Sequence, residues 1–400
     1  MNAPARAGRE PLDVLALNSG SSSLKFGLFQ VHGGEVETLI SGEIDAIGKP
    51  ASLLSATRPS DKRQASEARP IATQAAAIER IHRLLADWEA PAPAAIGHRI
   101  VHGGPKLRRH CLIDEAVLET LEAATAFAPL HTPAALEVIH SAQAHYPGLP
   151  QAACFDTAFH AHMPEVARVL PISRALRSEG VQRFGFHGLS CESIVEQLSD
   201  RLPERMIIAH LGGGASITAV EYGRSIDTSM GLTPTGGVMM GTRSGDLDPG
   251  ILLYLMREKH LDVAKLEDLV DRHSGLLGVS GVSSDVRDLV AAPGNPDARL
   301  ALRMFAYAVR KEIAAMAAAM EGADLIVFTG GIGENDWELR LAICKPLGWM
   351  GVDLDEARNR AAANPITLPS SLCEVRVLTS QEDQQIARHT SALVRTGLKA

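Results

Sequence analysis

Val14-Leu-Ala-Leu-Asn-Ser-Gly-Ser-Ser-Ser-Leu-Lys25 is the stretch whose reading decides the fold. Four apolar residues read as a buried strand running into a tight turn of small hydroxyl residues. Apolar residues then resume at Leu24, Phe26, Leu28 and Phe29, so a second strand over Leu24–Phe29 closes a hairpin. The turn collects backbone N–H groups, the Ser19, Ser21, Ser22 and Ser23 hydroxyls and the Lys25 ammonium in one small volume. Many donors, little bulk and one positive charge suit a polyphosphate. An ordinary Ser/Gly hairpin with a surface lysine is the alternative. No Gly-x-x-x-x-Gly-Lys-Ser/Thr occurs, so the turn is not a P-loop.

The pattern returns half a chain later. Ile207-Ile-Ala-His-Leu-Gly-Gly-Gly-Ala-Ser216 is again an apolar strand and a small-residue turn, followed by a strand over Ile217–Val220. Two such hairpins point to two domains of related topology facing one nucleotide. Further strands are expected over Ala95–Val101, Ala152–Phe155, Met206–His210 and Leu325–Phe328. Helices are expected over Ile71–Trp88, Glu115–Phe127, Thr132–His145 and Ala298–Met320, with Thr132 and Pro133 as N-cap and first residue of the third. Alternating strands and helices mean α/β layers. Residues 56–70, polar and basic with two prolines, read as an exposed loop.

A chain of 400 residues fits two domains or one large one. A net charge of −8, no long basic run and few aromatics argue against nucleic-acid binding. Met1–Pro11 lacks an apolar core and reads as a loose tail, neither signal peptide nor anchor, and no apolar run approaches a membrane span. Five scattered cysteines (Cys111, Cys154, Cys191, Cys344 and Cys373) show no metal-ligand spacing and fit reduced thiols in a cytoplasmic protein.

Several clusters could carry chemistry. Leu325-Ile-Val-Phe-Thr-Gly-Gly-Ile-Gly-Glu-Asn335 is a strand followed by a glycine-rich bend. It lacks the third glycine of a dinucleotide fingerprint and suits an adenosine-cradling turn. Met239-Met-Gly-Thr-Arg-Ser-Gly-Asp-Leu-Asp-Pro-Gly250 sets Arg243 among small residues and two aspartates, as a carboxylate or phosphate ligand or as half of a loop salt bridge. Gly97-His-Arg-Ile-Val-His-Gly-Gly104 offers Arg99 at a strand, and Phe155-Asp-Thr-Ala-Phe-His160 puts Asp156 at a strand end. Arg183-Phe-Gly-Phe-His-Gly-Leu-Ser190 sets His187 before a helix expected to be capped by Ser190. Flanking glycines favour ligand contact for His187 and His210, whereas His98 and His102 read as structural.

Taken in order, these segments, with Pro129-Leu-His131 and His210-Leu-Gly212, resemble the acetate kinases of the acetate and sugar kinase/heat-shock/actin superfamily, from about Val14 to Thr390. The resemblance implies an α/β protein of two domains, each of duplicated actin-like (ribonuclease H-like) βββαβαβα topology, with a central cleft. Residues 1–155 plus 386–400 would form the N-terminal domain, and 156–385 the C-terminal domain carrying the nucleotide site. It implies reversible, Mg²⁺-dependent transfer of the ATP γ-phosphoryl group to acetate, giving acetyl phosphate and ADP, with Mn²⁺ an alternative metal. A cytoplasmic homodimer, with no nucleic-acid or membrane partner, is also implied.

Carried over residue by residue, the resemblance gives Asn18 and Glu382 to the metal. It gives Lys25, His210, Leu211, Gly212, Gly213 and Gly214 to the phosphates. Asp285, Val286 and Arg287, with Gly331, Ile332, Gly333, Glu334 and Asn335, would border the nucleotide. Arg99 and Arg243 would bind the carboxylate and the transferring phosphoryl, and His187 would stabilise the transition state. Asp156 would be an acid/base or positioning carboxylate, holding an arginine or a magnesium-bound water. Val101, Leu130, Phe186 and Pro234 would wall the acyl pocket. The chain departs from the family pattern at Gly213, where Asn is usual, at Leu189 for Thr, at Thr235-Gly236-Gly237, and at Glu382-Asp383 for paired glutamates. These departures leave a propionate or broader short-chain carboxylate kinase as the alternative enzyme, and an actin-like or Hsp70-like ATP-driven conformational protein as the alternative class.

Overall fold

The opening hairpin is built from β1 (Leu12–Ser19) and β2 (Leu24–His32), antiparallel and in register from Leu12 opposite Val31 to Ser19 opposite Leu24. The computed structural model describes residues 10–20, 22–129 and 131–397. Ser21, Leu130 and the first nine residues of the expected tail therefore lie outside the described residues. To the hairpin are added β3 (Glu35–Asp45), β4 (Ser52–Arg58), β5 (Arg63–Arg69), β6 (Ala95–Ile100), β7 (Cys111–Leu112) and β8 (Gln151–Phe155). The sheet order is β5-β4-β3-β2-β1-β6-β8-β7. A second sheet contains β9 (Arg205–Leu211), β10 (Ala215–Glu221), β11 (Arg224–Thr228), β12 (Leu325–Thr329) and β13 (Glu374–Val377), in the order β11-β10-β9-β12-β13.

The two sheets share one plan. In β3-β2-β1-β6-β8, as in β11-β10-β9-β12-β13, three strands pair antiparallel, the first of them in chain order pairs parallel with a fourth, and the fourth pairs parallel with a fifth. The sequence echo between residues 14–25 and 207–216 is thus the first hairpin of each sheet, and the duplicated α/β topology is present. Parallel central strands are covered on both faces, which is why Val14–Leu17 and Ile207–Ala209 are wholly buried apolar runs.

Residues 56–70 are not a loop. They belong to the antiparallel hairpin β4–β5, paired from Ser52 opposite Arg69 to Arg58 opposite Arg63. Its polar composition misled because alternate residues face solvent. Ser52, Leu54 and Ala56 point inward, while Pro59 and a left-handed Lys62 make the turn.

The helices Gln74–Asp87 and Thr132–His145 pack on one face of the first sheet, enclosing Leu15, Leu17, Phe26, Leu28, Ile78 and Ile81. His131, not Thr132, is the N-cap of the second, and no side chain caps it. Glu115–Phe127 divides into a helix over Glu115–Ala123 and a single 3₁₀ turn. The long helix runs Pro296–Ala319, with Asn295 accepting from the Asp297 and Ala298 amides at its start.

By internal contacts the chain divides into two compact units. One runs to Ala158 and resumes at Gln381, and the other spans Phe159–Ser380. Asp156 and Glu382 therefore belong to the first unit. The helix after β13, Glu382–Thr396, packs on the first sheet, against the row Gly27, Ala16, Gly97 and Ala152 that runs across four strands. Small side chains let it come close: a β-carbon at Gly97 would lie 2.2 Å from Thr390 Oγ1 and 2.6 Å from Ile386 Cγ2. This approach brings the N-terminal turn of the helix to the end of β1.

Candidate active site

In the first unit, Asn18 is the penultimate residue of β1, Arg99 lies on β6, Asp156 follows β8, and Glu382 and Asp383 begin the last helix. Their side chains meet. Arg99 Nε donates to Asp156 Oδ1 at 3.2 Å and to Oδ2 at 3.0 Å, and its Nη2 donates to Oδ2 at 2.6 Å. Arg99 Nη1 donates to Asn18 Oδ1 at 3.1 Å. Asn18 Nδ2 in turn donates to Glu382 Oε2 at 3.1 Å and to Asp383 Oδ1 at 3.0 Å. Burial opposes the Arg99 charge, but Asp156, Glu382 and Asp383 outweigh it and raise its pKa. Burial also raises the pKa of Asp383, reinforced by Glu382 and opposed by Asn18, Lys25 and Arg99. Lys25 stands directly across the hairpin from Asn18, exposed. Val101 is buried just beyond β6. Asp383 was not foreseen, and its only signal in the sequence was adjacency to Glu382.

The donor set suits a hard divalent cation. Two adjacent carboxylates share one amide donor, and their mutual repulsion is what a small oxygen-seeking ion relieves. Asn18 directs its oxygen to Arg99 and its amide nitrogen to the carboxylates, so Glu382 and Asp383 supply the anionic oxygens here.

The second unit gathers the other candidates around the turn between β9 and β10. Gly212, Gly213 and Gly214 form that turn, with Gly212 N donating to Gly214 O at 2.9 Å. A β-carbon at Gly214 would lie 3.0 Å from His187 Nε2 and 3.5 Å from Arg243 Nη1, so both side chains crowd the turn at this glycine. At Gly213 the same atom would meet nothing within 4 Å. Gly241 lies beside the same turn: its β-carbon would lie 3.0 Å from Ser284 O and 3.6 Å from Gly213 O. A β-carbon at Gly212 would come within 3.9 Å of Gly331 N.

His187 takes a left-handed conformation (φ 57°) and itself caps the helix Gly188–Gln197. Ser190 is not the cap. It lies inside the helix, and its Oγ sits 2.8 Å from His210 Nδ1. The His187 and His210 rings stack with centroids 4.2 Å apart. Phe186 is buried, and its carbonyl accepts from His160 Nε2 at 2.9 Å. Arg243 Nη1 donates to the Pro234 carbonyl at 3.1 Å. Asp246 accepts from Gly237 N at 2.7 Å and Asp248 caps the helix Pro249–Glu258.

The expected bend after β12 is a single helical turn, Gly330–Asn335, entered through Gly330 at φ 78°. Glu334 Oε1 accepts from Gly330 N at 2.9 Å and Ser380 N at 3.0 Å, and Asn335 Nδ2 donates to Gly331 O at 2.9 Å. Beneath it lies Arg340, buried, donating to the carbonyls of Gly333, Glu334 and Asn359 and to Asn359 Oδ1. Arg340 went unread because a lone arginine within the apolar helix Trp337–Cys344 carries no motif. Asp285 caps Val286–Val290, accepting from Arg287 N at 2.8 Å, and hydrogen bonding from the Arg287 side chain lowers its pKa.

Duplicated sheets of this order, one presenting a glycine turn flanked by histidine and arginine, define a two-unit phosphotransferase. The model of the acetokinase family matches residues 13–388, and the chain belongs to that family. It is 42% identical over 396 residues to the acetate kinase of Nitrobacter hamburgensis, covering 95% of this chain and 96% of that one. It is 41% identical over 398 residues to the acetate kinase of Heliobacterium modesticaldum, covering 96% and 99%. Among solved structures, Porphyromonas gingivalis acetate kinase superposes with a TM-score of 0.84 at 37% identity, covering 96% of this chain and 100% of that one. A propionate kinase from Francisella tularensis gives 0.88 at 35%, covering 95% and 99%.

Proposed function

We propose that this kinase transfers the γ-phosphoryl group of ATP to acetate, reversibly, giving acetyl phosphate and ADP. The observation that carries the reading is the placing of His187 Nε2 and Arg243 Nη1 together against Gly214, 3.0 and 3.5 Å from its β-carbon position, in a turn otherwise free of side chains. Phosphoryl transfer needs donors spread around the equatorial oxygens, and a turn without side chains lets backbone and cationic groups reach them. An ionised carboxylate is already a nucleophile near neutral pH, so the chemistry needs charge neutralisation more than a base. Arg99 is suited to the acetate carboxylate, with Asp156 fixing the guanidinium plane. Asp156 is then a positioning residue. Lys25 and the glycine turn take phosphate oxygens, while Gly331–Asn335 and Asp285–Arg287 border the nucleoside. Glu382 and Asp383, held by Asn18, would bind Mg²⁺, or Mn²⁺ in its place, which when bound neutralises phosphate charge.

Val101, Phe186 and Pro234 are assigned to the acyl group. A propionate kinase remains the second reading because of the likeness to the Francisella enzyme, and one methylene in an apolar pocket is worth only about 1–3 kcal/mol. A homodimer is supported by apolar side chains left exposed on one unit, including Leu253, Tyr254, Val263 and Tyr307. Buried thiols at Cys111, Cys154, Cys191, Cys344 and Cys373, joined by no disulfide among the described residues, support a cytoplasmic setting. Among the described residues no helix is long and apolar enough to cross a membrane.

The test is a hydroxamate assay with ATP, Mg²⁺ and acetate, propionate or butyrate. Acyl phosphate forming fastest with acetate, and abolished by excess EDTA, is the expected result. ATP hydrolysis without acyl phosphate defeats the reading, and a preference for propionate moves it to the second.

A further inference from the structure

Three histidines of the second unit share one arrangement, each presenting Nδ1 to a serine hydroxyl. His187 Nδ1 lies 3.0 Å from Ser216 Oγ, His210 Nδ1 2.8 Å from Ser190 Oγ, and His160 Nδ1 2.8 Å from Ser225 Oγ. For His160 the tautomer follows from the other nitrogen. The Phe186 carbonyl can only accept, so Nε2 carries the proton and Ser225 donates to Nδ1. At His210, Ser380 donates to Ser190 Oγ at 3.0 Å, and a Ser190 proton directed at His210 Nδ1 would continue that chain of hydroxyls.

With Nδ1 accepting, the proton of His210 sits on Nε2, and a β-carbon at Gly212 would lie 3.8 Å from that nitrogen. His187 addresses the same turn, its Nε2 being 3.0 Å from the β-carbon position of Gly214. The two rings are nearly parallel, 23° apart, with centroids separated by 4.2 Å. Two imidazolium charges stacked so closely would repel each other. Hydroxyl donors on both Nδ1 atoms would satisfy neutral rings instead. Ser190 and Ser216 are wholly buried, so neither hydroxyl can turn to bulk water.

We infer that Ser190 and Ser216 are positioning residues that hold His210 and His187 as neutral Nε2–H tautomers, each aiming one donor into the glycine turn. The inference rests on the kinase reading, since it takes a phosphoryl group to be what the donors meet. A ring nitrogen is a directed donor only if its tautomer is set by the partner of the other nitrogen. A serine hydroxyl does this without adding charge beside a polyanion.

Full-length protein labelled with ¹⁵N in histidine tests this by long-range ¹H–¹⁵N correlation, with His187→Gln and His210→Gln assigning the two rings. Nδ1 is expected bare and Nε2 protonated in both. Ser190→Ala and Ser216→Ala, checked for native melting, are expected to mix the tautomers and lower kcat about 10- to 100-fold with KM little changed, by analogy with lost outer partners of ligating histidines. Ser190→Thr and Ser216→Thr should recover both signals. Rings protonated at Nδ1 in the unmodified protein, or alanine variants that keep tautomer and kcat, overturn the inference. Correct tautomers in a protein that forms no acyl phosphate would count against the kinase reading instead.

Discussion

Arg99 and Asp156 are locked face to face, with three contacts of 3.2, 3.0 and 2.6 Å between the guanidinium and both carboxylate oxygens. Asp156 is only 1% exposed and Arg99 17%. A carboxylate so engaged has its oxygens committed to orienting a cation. The pair presents Arg99 in one rotamer, with Nη1 tied to Asn18.

If Asp156 acts through Arg99, the two must fail as one unit. Arg99→Ala is expected to lower kcat/KM for acetate on the order of 10²–10³, the scale of a lost transition-state donor. Asp156→Asn should fall in the same direction, and the double variant should lose little beyond Arg99→Ala alone. Independent, multiplying losses in steady-state kinetics would make Asp156 a separate acid or base.

His160 is buried between Ser225 Oγ and the Phe186 carbonyl, and burial pushes its pKa down to about 4 from 6.5. His98, paired with Gln151 Oε1 at 2.7 Å, is lowered to about 4 for the same reason. Between these values the unfolded chain binds more protons than the folded one. Stability is therefore complete above about pH 6.5 and declines as pH falls towards 4. Each ring is expected to remove about 2 kcal/mol between about pH 7.5 and about pH 5, read by urea unfolding. His160→Gln should remove one ring's share of that slope. An unchanged slope would mean that His160 is already charged in the folded protein.

The hairpins, the duplication and the helices Gln74–Asp87, Glu115–Ala123, Thr132–His145 and Pro296–Ala319 were legible because buried strands and longer helices with one buried face impose local periodicity, as at Val14–Leu17 and Thr132–His145, although the Asn295 cap that starts the last of these helices was missed. Residues 56–70 were not, since an edge hairpin with one wet face carries few apolar residues. Motifs exposed Arg99, His187 and Arg243, each of which has a glycine within two residues of it in sequence. They hid Ser216, Arg340 and Asp383, whose roles depend on partners far away in sequence or on a single hydrogen bond. Ser190 was visible yet misassigned, because the left-handed His187 starts the helix earlier than a serine cap would.

Gly213 leaves open space where the family usually carries an asparagine, so Gly213→Asn adds a donor without a steric conflict. One extra hydrogen bond is worth about 0.5–1.5 kcal/mol, which corresponds to a KM for ATP lowered by roughly 2- to 10-fold. The melting temperature should stay where it is, as nothing lies within 4 Å of the new β-carbon. A raised KM for ATP would place the phosphates elsewhere than this turn.

Gly97 sets how closely the last helix approaches the sheet, and with it where Glu382 and Asp383 stand. Its β-carbon in Gly97→Ala would meet Thr390 Oγ1 at 2.2 Å and Ile386 Cγ2 at 2.6 Å, so the helix must move away. Overpacking of this kind costs about 1–3 kcal/mol, and the hydrogen bonds from Asn18 Nδ2 to the two carboxylates would lengthen. The variant is therefore expected to melt lower and to need more Mg²⁺ for half-maximal rate, while KM for acetate changes less. Thr390→Ala removes the nearest obstructing atom and should restore part of both losses. A variant that loses stability but keeps its Mg²⁺ requirement would show that helix position does not control the carboxylate pair.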